Sequence, residues 1–209
     1  MLDKLYKKKT WNKIDLKNLK LVKENIRGGT STSKLLNDDE SNLYLLKEMN
    51  SIDRNYNKID VKIDYDKIYF NEINALKKLS KYKHFPVLID FINGPKKSLL
   101  MTYCGENLYY KKTYPDNWKE QILNIYYILE KENIYHNDIF ESNFCLLDDI
   151  IYLIDFGESS NRIDYPYFNL SLDLINNSDS IEDMCAKIRD IGLAVIATSY
   201  IRSKKFFNE

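Results

Sequence analysis

The stretch from His136 to Gly157, HNDIFESNFCLLDDIIYLIDFG, constrains this chain more than any other part of it. Asp138 is followed five residues on by Asn143, and Asp155 opens an Asp-Phe-Gly triplet. Between them two short apolar runs flank Asp148-Asp149, a pairing that predicts a strand-turn-strand unit. A carboxylate at 138 can take the proton of an attacking hydroxyl. An amide and a second carboxylate nearby can hold Mg²⁺ against triphosphate oxygens.

The rest of the chain supplies a frame for that unit. Residues 1–24 read as polar, helical or irregular. From Asn25 to Met49 two strand-like runs are expected, one leading through Arg27-Gly28-Gly29-Thr30-Ser31-Thr32-Ser33 and one over Asn42 to Met49. In the second, Tyr44 and Leu46 share one face while Leu43, Leu45 and Lys47 share the other. Residues 66–81 place apolar side chains at 68, 69, 73, 76 and 79, a helical spacing. Val87 to Ile92 and Ser98 to Tyr103 read as strands about a Gly94-Pro95 turn. Trp118 to Glu132 predicts a buried helix, and a further apolar helix runs from about Glu182 to Tyr200. A strand-rich first half therefore precedes a helix-rich second half, an α+β chain with a boundary near Cys104-Gly105.

Charge excludes little but points one way. The 31 basic residues balance the 31 acidic ones, which argues against a dedicated nucleic-acid binder. The lysines from Lys7 to Lys23 read as a solvated helix face. Cys104, Cys145 and Cys185 are odd in number and lack metal-ligand spacing, so they read as reduced thiols of an intracellular protein. No signal peptide is expected, and the apolar run from Ile191 to Ile201 is too short to span a bilayer. Cytoplasmic or otherwise intracellular residence follows as the expectation, with no membrane and no nucleic-acid partner. The abundance of Lys, Asn, Ile and Tyr suggests an AT-rich genome, and a host cell or virion as the setting if that genome is viral.

Several side chains have two readings. Lys47 ends an apolar strand and is either an edge lysine or a phosphate clamp. Glu72, the one glutamate between Met49 and Gly105, lies on the 66–81 helix where it can face that strand and pair with Lys47. Gly28-Gly29 is a weak glycine-rich loop, since a lone Gly-Gly is usually a turn, but its place ahead of Lys47 suits a hairpin covering a nucleotide. His136 reads as a packing residue beside the metal loop.

Taken together the pattern resembles the catalytic and metal-binding loops of the protein kinase superfamily, and the likeness runs over about residues 20–195. The resemblance implies a two-lobed kinase-like fold, with a β-rich lobe over 1–103 and a truncated α-rich lobe over 104–209. It implies ATP and Mg²⁺ as cofactors, with Asp138, Lys47 and Glu72 catalytic and Asn143 and Asp155 on the metal. Gly28, Gly29, Lys47, Met101 and Tyr103 would hold the nucleotide, the last two because LLMTYCGENL resembles the inter-lobe hinge. Asp190 would brace the catalytic loop.

The chain also departs from that family. Phe140 stands where serine/threonine kinases carry a lysine touching the transferring phosphate, and Ser142 offers no substitute. Losing one such donor typically costs about 10²–10³ in rate. Asn137 replaces the arginine that reads a phosphorylated loop, and no Ala-Pro-Glu segment follows Asp155. The last helices of an ordinary kinase are not expected, as in small atypical kinases of the Bud32-like or viral type. The primary expectation is a protein serine/threonine kinase acting on a Ser or Thr hydroxyl, with an activating protein subunit as a further partner. The alternatives are a small-molecule kinase of the aminoglycoside or choline phosphotransferase type, acting on a small alcohol, and a pseudokinase binding module.

Overall fold

A computed structural model describes residues 18–27, 31–49, 64–111, 113–161 and 169–206. Gly28, Gly29 and most of the lysine-rich opening lie outside them. The chain divides into two compact units, Met1–Cys104 and Gly105–Glu209.

The first unit is built on a five-stranded antiparallel sheet in the order β1-β2-β3-β5-β4. Its strands are β1 (Lys20–Arg27), β2 (Ser31–Asn37), β3 (Leu43–Met49), β4 (Leu88–Ile92) and β5 (Ser98–Thr102). Residues 20–24 are thus strand, where the sequence reading expected helical or irregular chain. β1 is an edge strand with two register irregularities, and Leu21 and Val22 on it are exposed, so it lacks the clean alternation that a half-buried strand would show. Period two gives the sheet two chemically distinct faces. On one, Leu36, Tyr44 and Leu100 form a small core joined by Leu19, Leu46 and Ile89. On the other, Ser33 pairs across β2–β3 with Lys47, and Lys47 pairs across β3–β5 with Leu99.

Helix α1 (Tyr65–Leu79) buries Ile68, Tyr69, Glu72, Ile73, Ala75, Leu76 and Leu79, the stripe expected from its spacing. Asp64 caps its start by accepting from Lys67 N at 3.0 Å. At its end the Ser80 hydroxyl donates to Leu76 O at 2.6 Å and accepts from Leu88 N at 2.9 Å. One side chain thereby closes the helix and fixes where β4 begins.

The second unit is mainly helical, with a three-stranded sheet ordered β6-β7-β8. It comprises β6 (Glu106–Asn107), α2 (Leu108–Lys111), α3 (Trp118–Glu132), a 3₁₀ turn (Glu141–Asn143), β7 (Phe144–Leu147), β8 (Ile150–Leu153), α4 (Leu172–Asn176) and α5 (Ile181–Phe206). Gly105 admits β6 to β7: at φ +89° it is left-handed, and a Cβ there would stand 2.1 Å from Leu146 O. β7 and β8 form the expected hairpin, turned by Asp148 and Asp149 at φ 49° and 58°. Gln121, buried on α3, donates to Asp149 O and accepts from Ile151 N, both at 2.9 Å, so one amide locks the helix to that hairpin. α3 stops at Asn133, whose left-handed φ of 51° returns its N–H to Glu130 O and frees the chain toward Tyr135.

The fold is therefore α+β, an antiparallel sheet region followed by a helical one, compatible with the two-lobed kinase-like fold expected from the sequence. Among the described residues no helix is long and apolar enough to cross a membrane.

Candidate active site

The candidate residues fall into two groups, one in each unit. In the first unit the ammonium of Lys47 donates to Glu72 Oε2 at 2.7 Å. Both side chains are almost wholly buried, at 8% and 2% exposure. An ion pair so enclosed has given up its water, and it stands only while both partners remain. The geometry follows from sequence: Glu72 is the one acidic position on the buried stripe of α1, and Lys47 ends the strand face carrying Ser33 and Leu99. Ser31 and Ser33 are themselves buried, at 5% and 7% exposure, and Ser33 lies directly across from Lys47. A hydroxyl beside an ammonium on one sheet face suits a phosphate oxygen. Both serines lie in β2, within the strand-like run expected through Arg27 to Ser33. Lys34 points the other way and pairs with Glu48 at 3.2 Å.

Met101, the penultimate residue of β5, is buried opposite Leu45 and Leu88. The Tyr103 N–H donates to Leu43 O at 3.1 Å, extending the sheet past β5.

In the second unit Asp138 and Asn143 are in direct contact. The Asn143 amide nitrogen donates to Asp138 O at 2.8 Å and to Asp138 Oδ2 at 3.0 Å. Both amide hydrogens are turned toward Asp138, which leaves the amide oxygen as the atom to offer a cation. Asn143 is buried at the end of the 3₁₀ turn, and its backbone oxygen accepts from Ile154 N at 2.9 Å. Asn143 and the residue before Asp155 are thus neighbours at one end of the hairpin. Asp155 adopts a left-handed φ of 64°, uncommon for a residue other than glycine. It breaks the β8 alternation where its carboxylate is half-exposed.

Among the described residues no group of three or more His, Cys, Asp or Glu side chains could hold a metal alone. One carboxylate and one amide oxygen instead match Mg²⁺, which completes its shell with water and phosphate. His136 is fully buried; its Nε2–H donates to Ile154 O at 2.9 Å and its ring meets Phe156 edge-on at 4.7 Å. It packs, as its sequence context suggested. Phe140 is extended, and its carbonyl accepts from Asn143 N at 2.9 Å, opening the 3₁₀ turn.

Asp190 does not brace the Asp138 loop. Among the described residues of α5, Ile181, Met184, Cys185, Ile188 and Gly192 are buried, and that spacing turns 189–191 outward. Asp190 is 73% exposed with its neighbour Arg189 at 3.6 Å. The loop is held instead by Asn137 and Asn169, which sequence reasoning missed as a pair.

All three cysteines are free and buried. Burial pushes the Cys145 and Cys185 thiols up to about 12, so neither is a nucleophile near neutral pH.

No protein-family model matches the chain. Over 164 residues it is 30% identical to the serine/threonine-protein kinase mph1 of Schizosaccharomyces pombe, an alignment covering 69% of this chain and 23% of that protein. The chain thus spans under a quarter of that relative's length, and is similar to a protein kinase over part of its own.

Proposed function

We propose that the chain is an ATP-dependent phosphotransferase, acting as a protein serine/threonine kinase. The observation that carries this reading is the Asn143 amide, which holds Asp138 with its nitrogen while its oxygen remains for a cation. The buried Lys47–Glu72 pair and the similarity to a serine/threonine kinase support it.

In this reading Asp138 accepts the proton of the acceptor hydroxyl as that oxygen bonds to the terminal phosphorus and the bond to the leaving ADP oxygen breaks. Asn143 fixes the Asp138 carboxylate, so the base is aimed before the acceptor arrives. Lys47, its ammonium set by Glu72, contacts the nucleotide phosphates, with the Ser33 hydroxyl beside it. Asn143 and Asp155 would hold Mg²⁺, which when bound neutralises phosphate charge. Phe140 contributes no charge to the transferring group, so turnover is slow. Free thiols favour an intracellular setting.

The test is incubation with labelled ATP and Mg²⁺, with generic protein substrates and separately with small alcohols. Label on Ser or Thr of protein is the expected outcome. Asp138→Asn should lower turnover by about 10²–10⁴-fold while ATP affinity stays unchanged. Label only on small alcohols would make the chain a small-molecule kinase, and label indifferent to Asp138 would remove it from catalysis.

A further inference from the structure

Asn137 is buried, left-handed at φ 63°, and placed immediately before Asp138. Its backbone N–H donates to Asn169 Oδ1 at 2.9 Å, and Asn169 Nδ2 donates back to Asn137 Oδ1 at 3.0 Å. Its own amide nitrogen donates to Glu158 O and to Ser160 Oγ, both at 3.1 Å. Both amide hydrogens and the acceptor oxygen of the side chain are thus engaged, three of the four bonds it can make. The neighbouring residues reach across in the same direction. Tyr135 and Ser160 exchange two backbone bonds at 2.9 and 3.0 Å, and His136 bonds Ile154 O.

Three successive residues entering Asp138 are therefore tied to the chain on either side of Asp155-Phe-Gly. Ser160 and Asn169, which flank residues 161–168 in sequence, are both held by the one side chain of Asn137. The side chains of this set are amides, a hydroxyl and the His136 ring, and the amide donors of Asn137 and Asn169 named above are engaged by oxygens of the chain itself.

We propose that Asn137 and Asn169 form an amide latch that positions the Asp138 loop against the segment after Asp155. The proposal deepens the phosphotransferase reading and rests on it. Asn137 and Asn169 act through Asp138 and are positioning residues.

The test uses the full chain in two measurements, steady-state kinetics and hydrogen exchange. Asn169→Ala should lower kcat by about 10- to 100-fold with the KM for ATP unchanged, because a displaced base loses near-attack geometry without disturbing the nucleotide. The Asn137→Ala/Asn169→Ala double should lose less than the two single losses combined, since both singles remove the bond from Asn169 Nδ2 to Asn137 Oδ1. Asn169→Asp, which matches the amide in shape but lacks the donor, gives the same kinetic result if the alanine variant does not fold. Hydrogen exchange reads the latch without activity: Asn169→Ala should speed exchange at Asn137 and Ser160 and leave β2 and β3 unaltered. Unchanged kcat, or unchanged exchange at those two amides, overturns the latch. A wild-type protein that transfers no phosphate overturns the phosphotransferase reading and the positioning role, while exchange still reports whether the amides close the loops.

Discussion

The two units hold their candidate residues by opposite means. In the first, a buried ammonium and a buried carboxylate meet at 2.7 Å, with no water left to screen them. In the second, buried amides do the fixing: Gln121 joins α3 to the β7–β8 hairpin, Asn143 holds Asp138, and Asn137 grips Asn169. The difference has a chemical sense. A cation aimed at phosphate must carry charge and needs a fixed counter-ion to stay oriented. Carboxylates serving a proton or a cation must keep their charge for that task, so neutral groups are the better supports. A guanidinium in the amide position would compete for those carboxylates.

The largest expected effect breaks the charged half. Glu72→Ala removes the carboxylate that the buried Lys47 ammonium meets at 2.7 Å, and losing one partner of such a pair should cost about 3–5 kcal/mol of stability in urea unfolding. The double Lys47→Met/Glu72→Leu should recover most of that loss, because a buried pair replaced by apolar groups of similar volume is often neutral. A Glu72→Ala protein as stable as wild type would show that Lys47 is not confined as the geometry requires. On the amide side, Gln121→Leu keeps the volume but strands Ile151 N–H and Asp149 O. About 1–3 kcal/mol is expected, less than for the ion pair. Equal losses at the two sites would erase the contrast.

This division explains which parts were legible from sequence. Glu72 stood out because a lone acid interrupts an apolar stripe, and Lys47 because it ends a period-two strand; both signals are local. α1, α3 and the β7–β8 hairpin follow from periodicity and turn residues in the same way. The Asn137–Asn169 pair spans 32 residues and joins two polar positions in irregular chain, so no period marks it. Asp190 misled because the resemblance to the family, and not the local pattern, gave it a bracing role, and helix phase turns it out. β1 was half-missed because an edge strand with register shifts carries exposed apolar residues on no regular face. β6 and α2, two and four residues long, are set by long-range pairing and not by local pattern.

The second unit's exclusion of charge extends to its thiols, which sharpens the comparison. With Cys145 and Cys185 pushed up to about 12 by burial, very little thiolate exists at pH 8. Iodoacetamide should leave both unlabelled in the folded protein and label both once it is unfolded in urea. Rapid labelling of either in the native state would mean that the interior opens locally.

The smallest effect lies at the β2–β3 turn of the first unit, where charge again supports structure. Asp38 accepts from Asn42 N, Asn42 Nδ2, Glu40 N and the Tyr44 hydroxyl, at 2.8 to 3.0 Å. The Asn42 side-chain bond foremost, with Tyr44 and the backbone donors, holds the Asp38 carboxyl below its usual range against a smaller opposing effect of burial. A depressed carboxylate contributes stability above its unfolded value, and the contribution disappears as pH falls through the lower folded value. Tyr44 behaves in mirror image. Burial first, then the Asp38 bond and charge, push its phenol from 10.0 up to about 12. Its contribution is complete below pH 10.0 and fades as pH rises toward about 12. Ultraviolet titration of phenolate should therefore show a late-ionising fraction, shared with Tyr69 and Tyr126, that Tyr44→Phe reduces, and Asp38→Asn should shift Tyr44's part of it toward ordinary pH. If Asp38→Asn leaves the late step in place, burial alone governs Tyr44, and the turn owes nothing to the carboxylate's charge.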